Sequence, residues 1–144
     1  MGYFYFARHG QTVWNVANKI CGATDIELTE KGVKQAKELG RKIKEDGVKI
    51  DEIICSPLIR AEATARCISE AAGIPMRVEM RLKEQNFGKY EGTPRNGEEF
   101  QIAKTHFAQR YEGGESMLEF CHRCCRFRSR DYGENQSISG KSNQ

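Results

Sequence analysis

Residues 8–15 read RHGQTVWN, and they follow directly on the apolar run YFYFA at residues 3–7. An aromatic run of this kind is typical of a buried strand, so we predict that the loop with Arg8 and His9 opens at the carboxyl end of that strand. A histidine on such an edge is accessible, and Gly10 after it has no Cβ to block an approaching phosphoryl group. The guanidinium of Arg8 can bind phosphate oxygens. The stretch therefore predicts a site at which a phosphohistidine can form.

Alternating helices and strands continue outward from this stretch. Thr29 can cap a first helix, and Ser56-Pro57 turns into a second helix that ends at Gly73. Residues 50–55 and residues 76–80 are predicted strands before and after the second helix. The order strand, helix, strand, helix, strand predicts an α/β fold with a mainly parallel sheet, and ligands bind such sheets at the carboxyl ends of the strands.

The character of the sequence changes after two further predicted helices. Residues 98–111 have an amphipathic helical pattern, and residues 116–119 form a capping box that opens another helix. Residues 121–144 are rich first in arginine and then in Ser, Gly, Asn and Gln. The end of this segment cannot bury enough apolar surface to stay ordered. We therefore predict a domain at residues 1–128 and a disordered tail at residues 129–144.

Charge and composition exclude several classes of function. The 144-residue chain has a net charge of +3, but residues 1–120 carry 18 basic and 18 acidic side chains, so the excess lies in residues 121–144. That distribution does not support a nucleic-acid surface. No segment approaches the length of a membrane span, and the N-terminus lacks the flank and core of a secretory signal. We expect a cytoplasmic protein with free thiols and with no nucleic-acid or membrane partner.

Six blocks in chain order resemble the histidine phosphatase superfamily, which includes the cofactor-dependent phosphoglycerate mutases. The resemblance covers residues 3–120 and implies a three-layer α/β/α sandwich with a mainly parallel central sheet. The blocks are Arg8-His9-Gly10 with Trp14-Asn15; Gly22 and Asp25; Leu28-Thr29 with Gly32, Gln35 and Ala36; Ser56-Pro57-Leu58-Ile59-Arg60-Ala61 with Thr64-Ala65; Leu82-Lys83-Glu84 with Phe87-Gly88 and Glu91-Gly92; and Gly114-Glu115-Ser116.

The resemblance assigns roles to the residues of these blocks. It implies that His9 is the nucleophile, with its other ring nitrogen held by a backbone carbonyl, whereas an isolated histidine would more often be structural. It implies that Arg8 and Arg60 bind the phosphate oxygens, with Asn15 as a neutral donor, and that Glu84 is the general acid. The other residues implied to bind substrate are Gln11, Thr12, Cys21 and Gly22.

Both residues could instead have no catalytic role. Arg60 would then be a solvated arginine in the first turn of a helix, and Glu84 would be a surface glutamate. The Ser-Pro turn places Arg60 at a helix start, where backbone N–H groups favour an anion and where a cation is otherwise unfavourable. We therefore favour the phosphate-binding role for Arg60. For Glu84, burial beside the guanidinium groups would act on its pKa in opposing directions.

The second active-site histidine that the family carries after a late strand has no counterpart in this sequence. The other histidines, His106 and His122, follow no strand and precede no glycine. We therefore expect a domain that lacks its C-terminal strand or strands, as after a truncation or a frameshift near residue 120. Residues 3–7 would then lie at an exposed sheet edge, and a second copy of the chain could cover that edge.

The sequence favours a phosphate monoester hydrolase that acts through phosphohistidine on a small phosphorylated metabolite, impaired by the absent histidine. Only about 20 residues separate Gly92 from Gly113, and the glycolytic mutases carry a longer insertion there. The alternatives are mutase-type phosphoryl transfer, a non-catalytic phosphate-binding remnant and an interaction module built on residues 121–144. No cofactor is expected. No metal is expected either, because the clustered cysteines and histidine of residues 121–125 cannot surround one ion from a single helix.

Overall fold

The computed structural model of the protein describes residues 3–131, with side chains as far as Phe127. Residues 132–144, which are most of the tail for which the sequence predicts disorder, lie outside the described residues. The helices are α1 (Val13–Val16), α2 (Glu30–Glu45), α3 (Ile59–Ala72), α4 (Glu98–Ala103) and α5 (Met117–Asp131). The strands are β1 (Ile53–Cys55) and β2 (Met76–Val78), and Met80–Leu82 and Gly88–Tyr90 are single 3₁₀ turns.

Helices α2 and α3 form as the sequence predicts, and they pack against each other. The Thr29 hydroxyl accepts a hydrogen bond from the amide of Gly32 at 3.1 Å and so caps α2. Helix α3 ends at Gly73, which has a φ of 70° that favours glycine. The two helices approach closely at Gly40, where a Cβ would lie 2.8 Å from the Cβ of Ala71.

The sheet is parallel, and helix α3 connects its two strands. β1 and β2 pair in register, with Ile53 opposite Met76 and Cys55 opposite Val78. The α/β fold and the parallel pairing are therefore confirmed. Each strand is shorter than its predicted segment, because pairing is confined to these three positions.

Residues 3–7 form no strand, which corrects the sequence prediction. Their backbone belongs to no β-ladder among the described residues, and Tyr3, Tyr5 and Phe6 are 69%, 65% and 84% exposed. A strand gains its stability from a hydrogen-bonded neighbour, so a favourable aromatic pattern does not produce a strand by itself.

The predicted helix at residues 98–111 is also shorter than expected. Helix α4 ends at Ala103, and the chain turns so that Tyr111 packs back onto Phe87 and Phe100, with ring centroids 5.5 and 6.0 Å apart. These rings form an apolar cluster with Tyr90 and Ile20. The packing of Tyr111 therefore overrides the helical periodicity.

Helix α5 begins as the sequence predicts. The Glu119 amide donates to the Ser116 hydroxyl at 3.2 Å, and the Ser116 amide donates to the Glu119 carboxylate at 2.9 Å. The helix packs against the Met80–Leu82 turn. Among residues 3–131, no helix is both long and apolar enough to cross a bilayer.

Candidate active site

His9 lies partly buried at the end of the N-terminal segment. Its Nδ1 is 2.7 Å from the carbonyl oxygen of Gly10, so Nδ1 carries the proton and Nε2 keeps its lone pair. Burial lowers the pKa of His9 below its ordinary value, and the positive charges of Arg60 and Arg8 lower it further. The bond to Gly10 and the charge of Glu84 partly oppose this shift. The imidazole is therefore neutral at neutral pH.

The loop that carries His9 is fixed by contacts to α2 and α3. The amide of Gly10 donates to the Thr64 hydroxyl at 3.1 Å, and that hydroxyl donates to the carbonyl of Arg60 at 2.7 Å. A Cβ at Gly10 would lie 2.3 Å from the carbonyl oxygen of Gly32. Position 10 therefore requires glycine because the backbone of α2 lies so close, a reason that the sequence does not reveal. Thr64 links the His9 loop to the helix of Arg60.

Arg60 is a buried cation whose bound partners are neutral. Arg60 is 2% exposed. Its Nη1 donates a hydrogen bond to the carbonyl of Thr24 at 2.9 Å, and its Nη2 donates one to the carbonyl of Gly22 at 2.7 Å. Among the described side chains, no carboxylate forms an ion pair with it. A buried charge without a counterion is costly, so this site is complementary to an anion.

The amino end of α3 is less available for anion binding than the sequence predicts. The first amide of the helix, that of Ile59, donates to the Asp25 carboxylate at 2.8 Å. An acidic side chain of the protein therefore already occupies this end of the helix. The guanidinium of Arg60, rather than the helix end, supplies the positive character of the site.

Glu91 orders the loop that holds Arg60, a role that the sequence alone did not predict. Its two carboxylate oxygens accept from the amides of Gly22 and Ala23 at 2.9 Å each, and from the Thr24 hydroxyl at 3.0 Å. It also accepts from the amide of Phe87 at 3.2 Å. The Glu91-Gly92 pair was part of the motif series, but sequence cannot distinguish a loop-ordering glutamate from a surface one.

Glu84 lies just after the Met80–Leu82 turn, and its charge acts on His9 and on Cys21. Glu84 is exposed, which corrects the expectation that it is buried, and its Oε1 accepts a hydrogen bond from the amide of Gln85 at 2.8 Å. Arg8 is exposed as well. The charges of Arg8, Arg60 and Glu84 therefore all act on His9. Arg8 and Glu84 are exposed, whereas His9 is partly buried and Arg60 is buried.

The other residues predicted to bind substrate have structural contacts. Thr12 is fully buried and caps α1: the amide of Asn15 donates to its hydroxyl at 3.2 Å, while Asn15 Oδ1 accepts from the Thr12 amide at 3.0 Å. Gln11 Oε1 accepts from the Thr29 hydroxyl at 3.1 Å. The Asn15 side chain thus has its oxygen engaged, and its amide nitrogen is the group left to act as the neutral donor.

Gly22 and Cys21 belong to the loop whose carbonyls accept hydrogen bonds from Arg60. A Cβ at Gly22 would lie 2.0 Å from the carbonyl oxygen of Gln85, so only glycine fits there. Burial raises the pKa of the Cys21 thiol, against the opposing charge of Arg60. Within residues 3–131, no group of three or more His, Cys, Asp or Glu side chains is arranged to hold a metal ion.

Comparison with known proteins gives one consistent family. The family described as histidine phosphatase superfamily (branch 1) matches residues 4–136. The chain is 38% identical over 126 residues to the probable phosphoglycerate mutase GpmB of Yersinia pestis (strain Pestoides F), covering 83% of this chain and 58% of the relative. The chain therefore spans a little over half the length of the curated relatives it matches.

Solved structures show the same similarity. A phosphoglycerate mutase from Thermus thermophilus matches with a TM-score of 0.68 and 31% identity, covering 87% of this chain and 70% of that chain. A mycobacterial glucosyl-3-phosphoglycerate phosphatase, in a structure complexed with VO3, matches with a TM-score of 0.72 and 28% identity, covering 88% and 65%.

Proposed function

Because the chain belongs to the histidine phosphatase superfamily, we propose that it hydrolyses small phosphate monoesters through a phosphohistidine at His9. The observation that carries the proposal is the buried guanidinium of Arg60, which has only neutral acceptors and lies in electrostatic range of a neutral His9. Together with Arg8, it supplies the positive charge that a phosphate group needs.

In the first step, the lone pair on His9 Nε2 attacks phosphorus and the bond from phosphorus to the ester oxygen breaks. Glu84, in its protonated form, gives its proton to the leaving oxygen. The phosphorylated ring is cationic, and its Nδ1–H stays bonded to the carbonyl of Gly10. Arg8 and Arg60 bind the equatorial oxygens, whose charge grows in the transition state.

In the second step, the Glu84 carboxylate takes a proton from a water molecule as that water attacks phosphorus. The bond from phosphorus to Nε2 breaks, inorganic phosphate leaves, and His9 returns to its neutral form. None of these steps requires a cofactor or a metal ion. The substrates are small phosphorylated metabolites.

The test is turnover of p-nitrophenyl phosphate by the 144-residue chain and by His9→Asn, with His106→Asn and His122→Asn as controls on exposed histidines. We expect the wild type and both controls to release phosphate and, with ³²P-labelled substrate, to acquire an acid-labile label on the protein. We expect neither phosphate release nor labelled protein for His9→Asn. Release that persists in His9→Asn, or label on His122, would overturn the proposal. Vanadate binding that depends on His9 without any turnover would instead show a phosphate-binding protein.

A second candidate function is phosphoryl transfer between hydroxyl groups of one metabolite. It is favoured by the relatives and the solved structure that are named as phosphoglycerate mutases. In that case the phosphohistidine would be attacked by a hydroxyl of phosphoglycerate rather than by water. Following ³¹P signals of 2- and 3-phosphoglycerate separates the two, because a mutase interconverts them and a phosphatase releases phosphate.

A further inference from the structure

Arg123 of α5 reaches across to the loop that carries Glu84. Its Nη1 donates to the carbonyl of Arg81 at 3.0 Å and to the carbonyl of Lys83, the residue just before Glu84. Its Nη2 forms an ion pair with Glu115 Oε1 at 2.6 Å. One guanidinium therefore connects the segment before Glu84 with the turn before α5.

Glu115 completes the contact on the other side of Glu84. Its Oε1 accepts from the amide of Asn86 at 3.0 Å, and its own amide donates to the carbonyl of Asn86 at 3.0 Å. Gln85, between Glu84 and Asn86, is 1% exposed. The Arg123–Glu115 pair therefore holds the backbone at residues 83 and 86, one residue before Glu84 and two after it.

The Arg123–Glu115 ion pair is partly shielded from solvent. The side chains of Arg123 and Glu115 are 26% and 21% exposed, and the guanidinium lies 5.3 Å from the centre of the Phe120 ring. Planar donors that make several bonds at once fix geometry better than a single point charge does. Glu84, by contrast, is exposed and its carboxylate bonds to the next amide in the chain, so its location follows the backbone.

We propose that Arg123 is a positioning residue for Glu84, acting through Glu115 and the backbone of residues 83–86. The proposal rests on the function proposed above, in which Glu84 protonates the leaving group. A general acid works only within hydrogen-bond reach of the leaving oxygen, so a loop that drifts loses the proton transfer while phosphate binding at Arg60 persists.

The test compares Arg123→Ala with the wild type on two esters. p-Nitrophenolate leaves without a proton, whereas the alkoxide of an alkyl phosphate needs one. We expect Arg123→Ala to lose about 10²-fold in kcat on the alkyl phosphate, the scale of a misplaced catalytic group, and much less on p-nitrophenyl phosphate. Arg123→Lys should recover part of the loss. Arg110→Ala is the matched control, because Arg110 pairs with Glu119 of the same helix at an exposed site.

Two further measurements separate positioning from general loss of structure. In the Glu84→Gln background, Arg123→Ala should have no further effect on the alkyl phosphate, since both changes act on one step. Hydrogen exchange should quicken at the Gln85 and Asn86 amides and stay unchanged at the Gly10 amide. Equal losses on both esters, additive effects or unchanged exchange at residues 85 and 86 would overturn the inference. If the wild-type protein turned over neither ester, the proposed function would be wrong. Hydrogen exchange at the Gln85 and Asn86 amides would still show whether Arg123 holds the backbone around Glu84.

Discussion

The imidazole of His9 is subject to opposing influences on its protonation. Burial, Arg60 and Arg8 favour the neutral ring, while the bond to Gly10 and the charge of Glu84 favour the cation, and the neutral form prevails. A nucleophile needs that neutral form, and a bound phosphate dianion brings negative charge that reverses part of the balance. The positive charges of Arg8 and Arg60, the residues proposed to bind phosphate, therefore also help to keep the His9 ring neutral.

This balance predicts how His9 titrates. By NMR, the pKa of His9 should lie below its ordinary value of 6.5, and it should rise when inorganic phosphate binds, because the anion offsets Arg8 and Arg60. In the free protein the unfolded chain then binds this proton more readily than the folded one, so the free energy of unfolding should fall as the pH drops through 6.5 toward the folded pKa. Well above pH 6.5 both states leave the ring neutral, and this pH dependence is absent.

Chemical denaturation across this pH range measures the second effect, and His9→Asn should remove that part of the pH dependence. His106→Asn, which changes an exposed histidine, should keep it. A pKa for His9 at or above 6.5 in the phosphate-free protein would contradict the arrangement of charges described here.

At the scale of helices and strands, the sequence predicted correctly those features that depend on contacts between residues near each other in the chain. The helix caps at Thr29 and Ser116 and the end of α3 at Gly73 follow from short-range chemistry, and the structure confirms them. The parallel β1–α3–β2 unit is confirmed as well, because each of its two strands has the other as a partner. The strand at residues 3–7 was wrong, because a strand depends on partners elsewhere in the chain.

The candidate site shows the same division. Motif residues 8–10 and Arg60 were predicted, and the hydrogen bond from His9 Nδ1 to a backbone carbonyl is present. The structural roles of Thr64 and Glu91 were not predicted, because their hydrogen bonds to Gly10 and Gly22 join segments that are 54 and 69 residues apart in the sequence. Periodicity and capping rules carry no information about such distant pairs.

Glu91 provides a prediction at this scale. In Glu91→Gln an amide NH₂ replaces one carboxylate oxygen and faces backbone N–H groups, so at least one donor of residues 22–24 loses its acceptor. We expect a loss of about 1–3 kcal/mol in the free energy of unfolding, the cost of unsatisfied donors. Phosphate affinity should fall as well, because the carbonyls that hold Arg60 belong to this loop.

Calorimetry and phosphate titration of Glu91→Gln check both effects. Glu62→Gln is the matched control, since Glu62 forms an exposed pair with Arg66 on α3 and such pairs contribute little. Unchanged stability and unchanged phosphate affinity in Glu91→Gln would show that the loop keeps its shape without the carboxylate.

At the scale of the whole molecule, the polar site and the apolar surface are adjacent. The chain runs from the exposed rings of Tyr3, Tyr5 and Phe6 directly into Arg8 and His9. Exposed aromatic side chains close together in a chain commonly mark contact surfaces. The net charge of the whole chain is only +3, so charge repulsion between copies is weak.

We therefore predict that the 144-residue chain self-associates through residues 3–7. The sedimentation coefficient should rise with protein concentration, and Tyr5→Ser with Phe6→Ser should shift the population toward monomer because the apolar area available for contact falls. Phe107→Ser is the matched control, since Phe107 is 60% exposed and lies on the turn after α4, well separated in sequence from the N-terminal segment. In the associated form, the amides of residues 3–7 should exchange slowly. A chain that stays monomeric at every concentration, with those amides protected, would show that another part of the same molecule covers the segment.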